Sequence, residues 1–312
     1  MLVIVAPGQG SQTPGMLVPW LANSAFKSVI DEASKACNLD LTLHGTESDA
    51  DTIRDTAIAQ PLIVAAGLAS LAAISDEVGF PINKADAVAG HSVGEITAAI
   101  ATGVLSLSDG MKLVSVRANE MAKAAASVST SMAAVLGGNR EDVIAALESF
   151  DLIAANENGA NQIVAAGASE KIADLVANPP AGTRVRPLQV AGAFHTHFMQ
   201  PAQNAVLETA KTLNSQNPSV QLVSNKGGEV VNDGSDFLNR IVGQVASPVR
   251  WDLCMETFSA MEITGIIELF PGGTLTGIAK RALPGVELLP IASIEDLTKV
   301  SDFVAKHAGV KS

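Results

Sequence analysis

Residues 85 to 101 read Ala85-Asp86-Ala87-Val88-Ala89-Gly90-His91-Ser92-Val93-Gly94-Glu95-Ile96-Thr97-Ala98-Ala99-Ile100-Ala101. The first five have the character of a short buried strand, and Glu95 to Ala101 reads as the first turns of a helix. Between them lies a GxSxG pentapeptide. A serine pinned in such a strand-to-helix turn has a tight, strained backbone, and Gly90 and Gly94 let strand and helix approach without Cβ clashes. The new helix aims its free N–H groups and positive dipole end at whatever forms on the serine oxygen. Ser92 is therefore a candidate nucleophile on an α/β scaffold.

The composition around this turn agrees with that scaffold. The chain has 312 residues, 47% of them hydrophobic, with few aromatics and no tyrosine. That length suits a main domain with a subdomain, and aliphatic strands alternating with Ala-rich helices suit a sheet covered on both faces. No apolar stretch reads as the roughly 20 uninterrupted residues of a membrane span. The start, Leu2-Val3-Ile4-Val5, is strand-like and lacks the basic region and cleavage site of a signal peptide. Cys37 and Cys254 read as reduced core thiols, and the expected location is cytoplasmic. A net charge of −12 argues against nucleic-acid binding. An acidic partner would need a local basic patch, for which Lys226, Arg184, Arg186 and Lys280-Arg281 are the candidates.

Along the chain, helices are expected at about 23–37, from Pro61 to about Val78 with a Leu62, Ala66, Ala69, Ala73 stripe, and from Leu107-Ser108-Asp109, with a serine cap, to about Ala126. From 130 to 189 the texture changes. Strands at Met132–Leu136, Leu152–Ala155, Gln162–Ala166 and Arg184–Gln189 alternate with helices at Arg140–Ser149 and Glu170–Ala177. This βαββαβ order is that of a ferredoxin-like subdomain. The larger pattern then resumes, with strands at Val220–Ser224 and Gly265–Phe270 and helices around 235–244 and 251–262. The expected fold is an α/β-hydrolase-like core with a mostly parallel sheet, residues 1–127 and 190–312, carrying the inserted ferredoxin-like subdomain at 128–189.

A serine hydroxyl needs a base within hydrogen-bond reach. His91 adjoins Ser92, but the elbow should turn neighbouring side chains apart, and His44 and His307 read as surface residues. The loop Val190-Ala191-Gly192-Ala193-Phe194-His195-Thr196-His197-Phe198-Met199 offers His195 or His197. Arg117 falls between Leu113 and Met121 at four-residue spacing, so its guanidinium points to an apolar face and must find an anion. A salt bridge to Glu120, Asp109 or Glu95 is one reading, a two-pronged clamp on a substrate carboxylate the other. Gly8-Gln9-Gly10 opens like a dinucleotide fingerprint, but Thr13 stands where the third glycine belongs. That loop can instead offer a backbone N–H to an oxyanion hole, with Val93 as the other donor.

Taken in order, Pro7-Gly8-Gln9-Gly10-Ser11-Gln12, Gly90-His91-Ser92-Val93-Gly94-Glu95, Arg117, Asn156-Glu157-Asn158 with Gln162-Ile163-Val164, Ala193-Phe194-His195 and Gln244-Val245-Ala246-Ser247-Pro248 resemble the malonyl-CoA:acyl carrier protein transacylases of type II fatty-acid synthesis. The resemblance implies that Ser92 carries a malonyl ester and that His195, rather than His197, is its base and later its acid. It further implies an oxyanion hole from the N–H groups of Gln9 and Val93, a carboxylate clamp at Arg117, substrate contacts at Asn156 and Asn158, and orientation of His195 by the backbone carbonyl of Gln244. Two positions depart from the family pattern: Asn161 precedes Gln162 in place of glycine, and Phe270-Pro271-Gly272-Gly273 replaces Gly-Pro-Gly.

The implied partners are malonyl-CoA and, transiently, acyl carrier protein. Neither nucleic acid nor membrane is expected, the chain is expected to be a monomer, and the CoA thioester is a substrate with no metal or redox cofactor implied. The alternative is a serine esterase or thioesterase using the same elbow, which would have no need of Arg117. A non-catalytic carrier-protein-binding subunit would be expected to have lost Ser92 or His195.

Overall fold

The computed structural model describes residues 1–309. Their strands are β1 (Leu2–Ala6), β2 (Ala87–Gly90), β3 (Thr130–Gly137), β4 (Ile153–Gly159), β5 (Gln162–Ala168), β6 (Thr183–Pro187), β7 (Gln221–Val223), β8 (Val230–Val231), β9 (Val249–Arg250), β10 (Gly265–Glu268) and β11 (Glu287–Pro290). They form two sheets in a mixed α/β fold. The first has the order β11-β10-β1-β2-β7-β8, parallel throughout except for the β7–β8 pair.

Every residue of β1 is buried because the sheet is covered on both faces. Leu2, Ile4 and Ala6 pack into a cluster with the helices Ser24–Cys37, Thr56–Val78 and Leu107–Ser127. Val3 and Val5 join the opposite cluster, with helices Trp251–Ala260 and Thr274–Ala282. Strict alternation of side chains along a strand divides five consecutive apolar residues between two cores. Ala6 pairs with Gly90, so the loop after β1 and the turn after β2 leave the sheet side by side at its carboxyl edge, where open α/β sheets bind ligands.

The second sheet, β6-β3-β5-β4-β9, is antiparallel over its first four strands. Ala133, Val135, Ile163 and Ala165 face Val143, Leu147, Ile172 and Leu175 of the helices Arg140–Ser149 and Ser169–Ala177. Met132, Val164 and Ala166 turn the other way, into the large cluster of the first sheet. The fifth strand, β9, pairs parallel with β4 through Asn156↔Val249 and Glu157↔Arg250. It comes from outside the 128–189 stretch, so the second sheet is not built from that stretch alone.

Four sequence expectations are corrected. The helix expected from Pro61 begins at Thr56, where the Asp55 side chain accepts the Ala57 N–H at 2.8 Å, and Pro61 lies inside it. It is also long and apolar enough to cross a membrane by length and composition, contrary to the sequence reading, but most of it is buried inside the protein. In place of one apolar stripe it buries residues on every face, as a central core helix does. The serine capping the helix Leu107–Ser127 is Ser106, whose Oγ accepts the Asp109 N–H at 3.0 Å. His307 is buried, not on the surface: the last helix presses it against Gly265, where a Cβ would stand 2.6 Å from its ring.

Candidate active site

The pentapeptide forms a strained turn between β2 and the helix Gly94–Ala101. Ser92 has φ 53°, a left-handed conformation uncommon outside glycine. Its N–H donates to Asn225 Oδ1 at 2.8 Å, and Asn225 Nδ2 donates to the Gly90 carbonyl at 2.8 Å, so one side chain ties both arms of the turn. A Cβ on Gly90 would lie 1.9 Å from the Gly94 backbone, and one on Gly94 2.3 Å from Ala6 O. Any side chain at either position would force strand and helix apart.

His195 meets this serine from a sequence distance of 103 residues, its Nε2 2.7 Å from Ser92 Oγ. The loop that presents it is fixed by two bonds: Ala193 N–H donates to Thr130 Oγ1 at 3.0 Å and Thr196 Oγ1 donates to Ala193 O at 2.7 Å. His195 Nδ1 lies 2.8 Å from the Gln244 carbonyl oxygen. A carbonyl only accepts, so Nδ1 carries the proton and Nε2 is left to accept from the serine hydroxyl. Burial, helped by the nearby Arg117 charge, pushes the His195 pKa down to about 3, which keeps the ring neutral. His197 is exposed and lies tilted against Phe198, with ring centroids 4.2 Å apart.

Arg117 is 1% exposed. Its Nη1 donates to Gln60 Oε1 at 2.6 Å, and its Nη2 to Gln244 Oε1 at 3.0 Å and to Ser92 Oγ at 3.3 Å. Its Nε has no partner among the described residues. None of the expected carboxylates, Glu120, Asp109 or Glu95, forms an ion pair with it; Glu120 pairs with Lys123 instead. Burial lowers the guanidinium to about 10, partly offset by attraction to Glu95, so it stays charged at neutral pH. Glu95 is buried too, and desolvation raises its carboxyl to about 7.

Ser92 and His195 open onto a cavity of about 270 Å³ that Gln9, Val93, Gln60 and Asn156 also line. Asn158 lines it as well but is partly occupied, with its Oδ1 2.8 Å from His91 Nε2. The elbow thus turns His91 away from Ser92 and toward the second sheet. Lys226, Arg184, Arg186, Lys280 and Arg281 are all exposed, and Arg281 reaches Gln162 Oε1 at 3.3 Å. Gln60 and Asn225 were not expected from the sequence, and Glu95 was expected only as a salt-bridge partner. The available signals were a glutamine set into an apolar helical run and a glutamate in the first turn of an apolar helix.

The acyl transferase domain family matches residues 3–300. The malonyl CoA-acyl carrier protein transacylase of Mycobacterium tuberculosis is 45% identical, covering 97% of this chain and 100% of its own. That of Escherichia coli K12 is 30% identical over 89% of this chain and 91% of its own. The crystal structure of MCAT from Mycobacterium tuberculosis superimposes with a TM-score of 0.92, covering 96% of this chain and 99% of that one. Likeness of this extent, in sequence and backbone together, leaves no part of the described site outside the match, and the chain belongs to the acyl transferase family, among the malonyl CoA-acyl carrier protein transacylases.

Proposed function

We propose that this chain is an acyltransferase that moves a malonyl group from malonyl-CoA to the phosphopantetheine thiol of acyl carrier protein, supplying fatty-acid chain elongation. The observation that carries this reading is a buried, charged guanidinium donating to the hydroxyl of a serine whose other neighbour is a neutral, oriented histidine.

His195 Nε2 takes the Ser92 proton as Oγ attacks the thioester carbonyl carbon, and the carbonyl electron pair moves onto oxygen. The N–H groups of Gln9 and Val93 receive that oxyanion. Collapse breaks the C–S bond, His195 returns the proton to the departing CoA sulfur, and a malonyl ester remains on Ser92. In the second half the carrier thiol gives its proton to His195 and attacks the ester, and Ser92 Oγ leaves with the proton. Thioester is exchanged for thioester, so the overall transfer is readily reversible. Arg117 holds the malonyl carboxylate, which displaces only neutral oxygens from the guanidinium. Asn156 and Asn158 border the substrate on the side of the second sheet.

The fold supports a finer description. The first sheet with its elbow is α/β-hydrolase-like, residues 1–127 and 190–312, and the β6-β3-β5-β4 order at 128–189 is ferredoxin-like. The working unit is a cytoplasmic monomer that meets acyl carrier protein transiently and needs no cofactor beyond its CoA thioester substrate. The test is incubation with isotopically labelled malonyl-CoA, with and without carrier protein. Label on the protein that passes to the carrier supports the reading. Label released to water in the carrier's presence would favour a thioesterase.

A further inference from the structure

The Arg117 guanidinium and the Glu95 carboxyl do not touch. Gln244 stands between them: its Oε1 accepts from Arg117 Nη2 at 3.0 Å, and its Nε2 donates to Glu95 Oε2. The other Glu95 oxygen accepts the Asn225 N–H at 2.6 Å. Gln244 Nε2 also lies 3.2 Å from the Ser92 carbonyl, and the Gln244 backbone carbonyl holds His195 Nδ1. One glutamine therefore links base, nucleophile and guanidinium, and one buried carboxylate anchors that glutamine.

We propose that Glu95 is a positioning residue for the transfer reaction: its carboxylate fixes Gln244 between itself and Arg117, which leaves the guanidinium oriented and without a direct ion partner, so that a substrate carboxylate has only neutral oxygens to displace. This rests on the malonyl-transfer reading above. A direct Glu95–Arg117 pair would fill the clamp, and a substrate would have to break a buried ion pair to enter. With no anion nearby, the guanidinium would carry its desolvation cost uncompensated. A counter-charge held one residue away avoids both. The same carboxylate, through Asn225, supports the Ser92 turn, so a purely structural role would affect every acyl donor alike.

Glu95→Gln separates the two roles. It keeps the side chain's shape, but only its oxygen accepts, so its NH2 faces either the Gln244 amide or the Asn225 N–H, donor against donor. Wild type is first shown to load malonyl from malonyl-CoA; failure there overturns the functional reading and this inference with it. For Glu95→Gln the ratio of malonyl to acetyl transfer falls about tenfold or more, the size of one charge-assisted hydrogen bond, with the thermal midpoint close to wild type. Glu95→Asp, which keeps the charge but shortens the reach, shows a smaller fall of the same kind. It also replaces Glu95→Gln as the deciding variant if the latter does not fold. A ratio unchanged from wild type, whatever happens to rate or midpoint, overturns the proposal. So does a raised ratio, which would mean that Glu95 merely competes for Arg117.

Discussion

The two sheets approach the cavity by different means. The parallel sheet contributes through backbone: the Ser92 turn at φ 53°, the close approach of Gly90 to Gly94, and the loop after β1 beside the elbow. The antiparallel sheet contributes through side chains on β4, Asn156 and Asn158. On this account the elbow side makes and breaks bonds, while the β4 side shapes the pocket.

The sharpest way to break that division is at the base. His195→Ala should slow acylation by about 10²- to 10⁴-fold, the usual worth of general-base help, and exposed His197→Ala should leave it unchanged. Single-turnover acylation of both variants checks this, and a larger defect at His197 would reverse the assignment. The pH profile sharpens the same point. With its pKa lowered to about 3, His195 stays unprotonated as pH falls through the ordinary histidine range near 6.5. Measured in Glu95→Gln, which removes the buried carboxyl raised to about 7, kcat/KM for malonyl-CoA should therefore show no acid limb at an ordinary histidine pKa; a limb near 6.5 in that variant would contradict a buried neutral base.

Next in size is Arg117. Arg117→Ala removes a charge-assisted contact of about 1.5–3 kcal/mol, so malonyl transfer should fall roughly ten- to a hundredfold while acetyl transfer gains relative to it. Arg117→Lys should rescue only in part, because one ammonium cannot reproduce a planar fork. A constant malonyl-to-acetyl ratio alongside lowered stability would make Arg117 structural. The smallest expected effect lies across the cavity. Asn156→Ala should raise KM for malonyl-CoA by roughly tenfold at most, one neutral hydrogen bond, and leave kcat near wild type. A collapse of kcat at Asn156 would erase the distinction between the two sides.

Legibility in the sequence follows the same divide. Gly90, Ser92 and Gly94 could be read because a sharp turn restricts the residue types that can form it, and Arg117 because helical spacing put a charge on an apolar face. The βαββαβ stretch could be read because its strands and helices are long enough to show periodicity. Gln60 and Asn225 could not. Gln60 meets Arg117 across 57 residues and Asn225 meets Ser92 across 133; a glutamine in an apolar helical run is visible locally, but nothing local names either partner. The same holds for β8 and β9, two residues each and formed only by the strands they pair with.

Everything proposed for the transfer depends on a malonyl group residing on Ser92 between the two half-reactions. Intact-protein mass spectrometry after mixing with malonyl-CoA, followed by peptide fragmentation and then addition of acyl carrier protein, tests it most directly. One malonyl adduct is expected on the peptide containing Ser92, lost when the carrier thiol is added and absent from Ser92→Ala. An adduct that survives in Ser92→Ala, or transfer to the carrier with no acylated enzyme formed, would contradict it.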